Sequence, residues 1–216
     1  MVTGAGSGIG QAVARRFASE GWQVALIGWR EETLRQTLSS FDADAQARSV
    51  MFRCDVSRAT DVDAMAAAVI ERFGRVDVLV NSAGINVPKR RLRELSLEDW
   101  HRVIDTNLNG AYYCIRAFLP AMRAQRDGTI VNINSDVGKL ARDLAGPAYV
   151  TSKFGMTGLT QQINAEERAN GIRATSIFPR DVNTPLLDKR PQPPPAGVRA
   201  RMLQPADLAA CVWLAS

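Results

Sequence analysis

Val2-Thr3-Gly4-Ala5-Gly6-Ser7-Gly8-Ile9-Gly10 is the stretch on which the fold turns. Two strand-forming residues run into glycines spaced Gly4-x-x-x-Gly8-x-Gly10, and residues 8–19 then follow helical spacing with Val13 and Phe17 on one face. A strand therefore passes straight into a helix. Without side chains the backbone can turn tightly, approach a pyrophosphate and pack the helix close to the strand. The N–H groups and partial positive charge at the helix start favour phosphates. Thr3, Gly4, Ser7, Gly8, Ile9 and Gly10 are thus candidates to cradle a dinucleotide. The commoner Gly-x-Gly-x-x-Gly spacing is not met, so a purely structural turn is the alternative at this point.

Working outward, strand-like and helix-like segments alternate, the pattern of a parallel α/β architecture. Strands are predicted at 23–28, 50–54, 76–81, 129–134 and 172–178. Helices are predicted at 31–38, from a Ser57 cap towards Phe73, from Ser96 to near Ala124, over 148–170 and over 205–214. Ser96, with Asp99 three positions on, reads as a reciprocal helix cap. Pro191-Gln192-Pro193-Pro194-Pro195 makes 183–201 a loop or flap. The expectation is one domain over 1–216, a doubly wound parallel sheet flanked by helices. Its first and last strands read as truncated, with flanking residues of the natural protein absent.

Composition narrows the class. Among 216 residues, 46% are hydrophobic and 23% charged, as in globular proteins. No apolar run approaches the ~20 residues of a membrane span. Cys54, Cys114 and Cys211 fit neither a disulfide framework nor a zinc site, which points to a reducing, cytoplasmic setting. No histidine–cysteine cluster suggests a metal, and His101, the only histidine, reads as a surface residue. The net charge of +5 could steer a phosphorylated cofactor. The run Lys89-Arg90-Arg91-Leu92-Arg93 reads first as a solvated loop, with substrate steering or nucleic-acid contact as alternatives. It lacks interleaved aromatics and no recognition motif accompanies it, so no nucleic-acid partner is expected.

Tyr149 and Lys153 lie four apart, hence on one helix face. A free tyrosine has a pKa of about 10, and a neighbouring ammonium favours the phenolate. The pair is therefore predicted to act as a general acid/base with a lowered pKa. Ser135, fourteen positions earlier and just after a strand, completes a proton-transfer set.

These motifs, in this order, resemble those of the short-chain dehydrogenase/reductase family, whose fold is Rossmann-like. The resemblance runs through nearly the whole chain. Thr3-Gly4-x-x-x-Gly8-x-Gly10 is similar to the family's cofactor turn, Asp55-Val56 to its adenine pair, and Asn81-Ser82-Ala83-Gly84 to its Asn-Asn-Ala-Gly segment. Asn107, Ser135, Tyr149 and Lys153 are similar to its catalytic set. The resemblance implies hydride transfer between a nicotinamide cofactor and a carbonyl or alcohol. Tyr149 would exchange the proton, Ser135 orient the oxygen, Lys153 hold the ribose and Asn107 anchor a water. Pro179, Val182 and Thr184 would meet the nicotinamide. The resemblance departs at Ser82, and at Arg180, where the family usually has glycine after Pro179. Arg180 motivates an alternative reading as a catalytically impaired dinucleotide-binding regulator.

The end of the second strand reads Gly28-Trp29-Arg30-Glu31. Gly28 stands where NAD-preferring relatives carry an acid, Arg30 could meet a 2′-phosphate, and Trp29 could cover the adenine. NADP(H) is expected, with NAD(H) possible and Glu31 an opposing influence. Specificity is expected from 138–145, 85–93 and the flap. Apolar positions such as Tyr112 and Phe154 suggest a homodimer or homotetramer.

Overall fold

The computed structural model describes residues 1–216. Six strands, β1 (Val2–Thr3), β2 (Ala25–Gly28), β3 (Val50–Arg53), β4 (Val78–Asn81), β5 (Gly128–Ile133) and β6 (Ile172–Ile177), form one sheet. Every pairing is parallel and the order is β3-β2-β1-β4-β5-β6. The chain thus winds outward from β1 to one edge, returns, and winds outward from β4 to the other. The place where that order reverses leaves a crevice at the carboxyl ends of the strands. β1 is only two residues long yet lies at the centre, with Val2 opposite both Leu26 and Val80.

Alternation along the strands loads both faces of the sheet. Ala25 and Ile27 of β2, Leu79 of β4 and Ile130 of β5 pack under α4 (Ala59–Phe73), α6 (Gly110–Gln125) and α7 (Pro147–Glu167). Leu26, Val78, Val80 and Val131 face the other way, against α1 (Gly8–Ser19), α2 (Glu31–Ser39), α3 (Ala43–Arg48) and α9 (Pro205–Ala215). The last helix docks on the first through Phe17, Trp22 and Trp213, whose rings meet edge-on at 5.2–6.1 Å. Each such aromatic contact adds about 1 kcal/mol beyond area burial.

Several local expectations are corrected. The helix expected from Ser96 to Ala124 is interrupted: α5 (Leu97–Ile104) and α6 are joined by a π-helical turn, Asp105–Asn109. Ser96 does cap, accepting from the Asp99 N–H at 3.1 Å, but the Asp99 carboxylate pairs with Arg102 instead of reciprocating. Ser57 does not cap α4. Its N–H and hydroxyl bond the Asp55 carboxylate at 3.0 and 2.7 Å, and Arg58 takes the cap position. Helix α3, capped by the Asp42 carboxylate, was not expected. It has six residues, too few for helical periodicity to show. The flap holds a 3-10 turn, Pro185–Lys189, and the short helix α8 (Ala196–Arg199), joined by Arg199 bonds to Asp188 and Asn183.

Candidate active site

The turn after β1 is built for the absence of side chains. A Cβ on Gly10 would lie 2.4 Å from the Gly4 carbonyl oxygen, so only glycine lets α1 sit this close to the turn. Gly4 adopts φ +66 and would press a Cβ onto the Ala83 backbone at 3.0 Å. Thr3 closes the turn from behind, its hydroxyl accepting from the Ser82 and Ala83 N–H groups at 3.0 Å each. The loop after β4 is thereby fastened to the loop after β1. Together they make a wall of glycine and small residues with the α1 N-terminus behind it, which fits a dinucleotide's phosphates.

In front of this wall lies a cleft of about 420 Å³. Gly4, Ser7, Gly8, Ile9, Ala83 and Gly84 line it. Ser135, Tyr149 and Lys153 also line it, as do Pro179, Val182 and Thr184, the last packed beside Gly8. Twelve of the residues singled out in the sequence therefore share one space, although they lie up to 180 positions apart. All three segments expected to set specificity also reach it, through Asn86 and Arg90, Arg142 and Leu144, and Leu187 and Arg190.

Other predicted residues stand outside the cleft. Asn81 is buried, its Nδ2 donating to Asn132 at 2.9 Å between β4 and β5. Val56 is buried too, and Asp55 holds the Ser57 turn. Trp29 and Arg30 are exposed beyond β2, and the Arg53 guanidinium lies 5.6 Å from the Trp29 ring centroid. Asn107 is fully buried within the π-helical turn. Its Oδ1 accepts from the Ile85 N–H at 2.7 Å, and its Nδ2 donates to the Ile85 carbonyl and the Ser152 hydroxyl. The widened turn, a feature frequent at functional sites, brings this amide to the loop beside the cleft and to α7.

Ser135 follows β5, and its hydroxyl donates to Asp136 at 3.1 Å. Asp136 in turn accepts from Arg142 at 2.7 Å. Lys153 is 4% exposed, and its Nζ donates to the Ile133 carbonyl at 2.7 Å. Burial lowers its pKa to about 8. The expected depression of the Tyr149 pKa by Lys153 is corrected: burial dominates and raises it, and Asp136 adds to the rise. The groups that oppose the rise are the Ser135 hydroxyl, then Arg190 and Arg90. Neither arginine was singled out as a site residue. The basic run was visible, but as a solvated loop; Arg90 is instead 6% exposed, inside the cleft. Nothing local in the sequence distinguishes it from the exposed Arg91 and Arg93. Arg180 lines the cleft from an exposed position.

A switch-point cleft lined by a glycine cradle and by a serine, tyrosine and lysine defines a dinucleotide-dependent oxidoreductase of the α/β class. The chain belongs to the short chain dehydrogenase family, whose model matches residues 1–194. A 3beta-hydroxysteroid dehydrogenase of Mediterraneibacter gnavus is 36% identical over 204 residues, covering 94% of this chain and 71% of that protein. A metagenomic short-chain oxidoreductase solved in complex with NADP is 34% identical, with TM-score 0.82 over 99% of this chain and 87% of that one. A short chain dehydrogenase/reductase from Burkholderia phymatum, solved in complex with NAD, is 31% identical, with TM-score 0.89 over 99% of this chain and 83% of its own. No helix is long and apolar enough to cross a membrane.

Proposed function

We propose that this protein interconverts a small carbonyl compound and its alcohol, using NADP(H) in preference to NAD(H), with Tyr149 as the general acid/base. The observation that carries the reading is the convergence of Ser135, Tyr149 and Lys153, from β5 and α7, on the cleft that the glycine turn opens. The cofactor supplies the hydride. Gly4, Ser7, Gly8 and Ile9 would hold its phosphates, and Pro179, Val182 and Thr184 its nicotinamide end. Asp55, Val56 and Asn81 would support the adenine side.

Tyr149 donates its hydroxyl proton to the carbonyl oxygen, and in reverse accepts the alcohol's proton. Its raised pKa keeps that proton in place at neutral pH, which suits the reducing direction. Ser135 orients the same oxygen, turning its hydroxyl away from Asp136. Lys153 holds the ribose and returns a proton to Tyr149; a pKa near 8 makes it a competent donor near neutrality. Asn107 acts as a positioning residue, tying the loop at Ile85 to Ser152 on α7.

The preference for NADP(H) rests on the positive charge beyond β2 and β3. Arg30 and Arg53 lie there without ion-pair partners, whereas Glu31, the nearby acid, is engaged with Arg35 at 2.7 Å. Pairing with its own copies through α6 and α7 is supported by Tyr112 and Phe154, 48% and 45% exposed, and a cytoplasmic setting by the three free cysteines. The test is NADPH and NADH oxidation with a panel of ketones and aldehydes, in the wild type and in Tyr149→Phe. The variant should lose at least ~100-fold in turnover, the scale of general acid catalysis, and should still bind cofactor. Retained turnover sinks the assignment.

A further inference from the structure

Five cations line the cleft, Arg90, Arg142, Lys153, Arg180 and Arg190, against three carboxylates, Asp136, Asp143 and Asp181. Each carboxylate already has an arginine: Asp136 has Arg142 at 2.7 Å, Asp143 has Arg91 at 3.3 Å, and Asp181 has Arg190. Arg90, Arg180 and Lys153 have no carboxylate within ion-pair distance, and Lys153 is already given to the ribose.

Arg90 is the telling one. Its side chain is buried, and its only acceptors are backbone carbonyls: Nε donates to Val87 and Nη2 to Lys189. Nη1 is left without a protein acceptor. A largely buried cation without a counter-charge is costly, and Nη1, which is not sealed from solvent, is open to an anion in the cleft. Arg190 stands close enough to act on Arg90 as a like charge, and both act on Tyr149 as opposite charges. Arg190 follows Lys189, whose carbonyl accepts from Arg90, and both guanidiniums line the cleft with Tyr149. Gly146 secures this arrangement at the start of α7: it adopts φ +80, and a Cβ there would lie 2.4 Å from the Arg90 carbonyl oxygen.

Given the carbonyl–alcohol reading above, on which this rests, we propose that the substrate is an oxo acid, or the hydroxy acid in reverse. Its carboxylate is bound by Arg90 together with the Arg190 nitrogens that Asp181 leaves free, while its carbonyl meets Ser135 and Tyr149. A clasp between the loop after β4 and the flap would account for the Val87 and Lys189 bonds. A neutral donor would serve a clasp equally well, so the clasp leaves the positive charge unexplained.

The experiment compares 3-oxobutanoate and 4-oxopentanoate with their methyl esters in the wild type, Arg190→Gln and Arg90→Gln, with circular dichroism on each. NADPH affinity is titrated in parallel. The wild type should favour acid over ester by about 10- to 100-fold in kcat/KM, the worth of one hydrogen bond to a charged group. That ratio should fall several-fold in Arg190→Gln, and collapse towards one in Arg90→Gln if it folds. An ester turned over as well as its acid in the wild type overturns the proposal. So does an equal loss on acid and ester, which would assign the arginines to tuning Tyr149. A loss confined to NADPH affinity would assign them to a cofactor phosphate, also overturning it. If no carbonyl is reduced at all, the oxidoreductase reading fails separately. Calorimetric binding of 4-oxopentanoate against its ester to the NADPH-loaded protein then decides the carboxylate assignment by the same ratio.

Discussion

Replacing Lys153 by methionine should make the apoprotein more stable at neutral pH. Lys153 keeps its ammonium where only 4% of the residue is exposed, and burial lowers its pKa from 10.5 to about 8. That difference of about 2.5 pKa units corresponds to about 3 kcal/mol, at 1.36 kcal/mol per unit. Below pH 8 the lysine is protonated both folded and unfolded, and the penalty is fully present. Between pH 8 and 10.5 the unfolded chain binds more protons than the folded one, so stability rises with pH as the penalty fades. Methionine matches the lysine in length and brings no charge. It does remove the 2.7 Å bond to the Ile133 carbonyl, which returns about 1 kcal/mol. The net gain at pH 7 is therefore about 2 kcal/mol, or a rise in Tm of about 4–8 °C for a domain of this size. By pH 9.5 the penalty has fallen to about 1 kcal/mol and the advantage should vanish. Urea unfolding followed by tryptophan fluorescence, without cofactor, at pH 7 and 9.5 measures both numbers. A variant less stable than the wild type by the same margin at both pH values would refute the reasoning.

Two further substitutions test the cofactor site. Arg30→Ala should weaken NADPH binding by about 10- to 100-fold, the value of a charge-assisted bond to phosphate, and leave NADH nearly unchanged in a fluorescence titration; equal losses would remove Arg30 from the 2′-phosphate. Gly10→Ala places a Cβ 2.4 Å from the Gly4 carbonyl oxygen, so α1 must shift. Cofactor binding should fall sharply and stability by about 2 kcal/mol, the scale of overpacking. Gly158→Ala on α7 meets nothing within 4 Å and should instead stabilise the fold by about 0.5–1 kcal/mol. Similar behaviour of the two alanines in thermal melts would contradict the packing described.

Most of the wall at the cofactor end was legible because its cause is local. Gly4, Gly8 and Gly10 announce a backbone without side chains, and a helical pattern beginning at Gly8 announces the N-terminus behind it. The spacing of Tyr149 and Lys153 needs only helix geometry to place them on one face. The interruption of the helix between Ser96 and Ala124 was not legible. The π-helical turn at Asp105–Asn109 carries Asn107, whose amide bonds the Ile85 backbone, 22 residues earlier, a contact no local pattern shows. The role of Ser57 was misread because the Asp55 carboxylate competes for the same hydroxyl, and two short polar side chains in one turn do not show which will win. The basic run failed for another reason: charge invites a solvated reading, and only tertiary contacts put Arg90 indoors.

The sequence by itself determined the alternation of strands and helices, the order of the motifs and the chemical types that line the cleft. These follow from periodicity and from backbone sterics, which act between near neighbours. Only the tertiary structure decided which charges lose their water: Lys153 and Arg90 inside, Arg91 and Arg93 outside. It also decided that Tyr149 is governed by burial more than by its helix neighbour. Desolvation depends on everything packed around a group, and those neighbours come from β5, the loop after β4 and the flap, segments far apart along the chain.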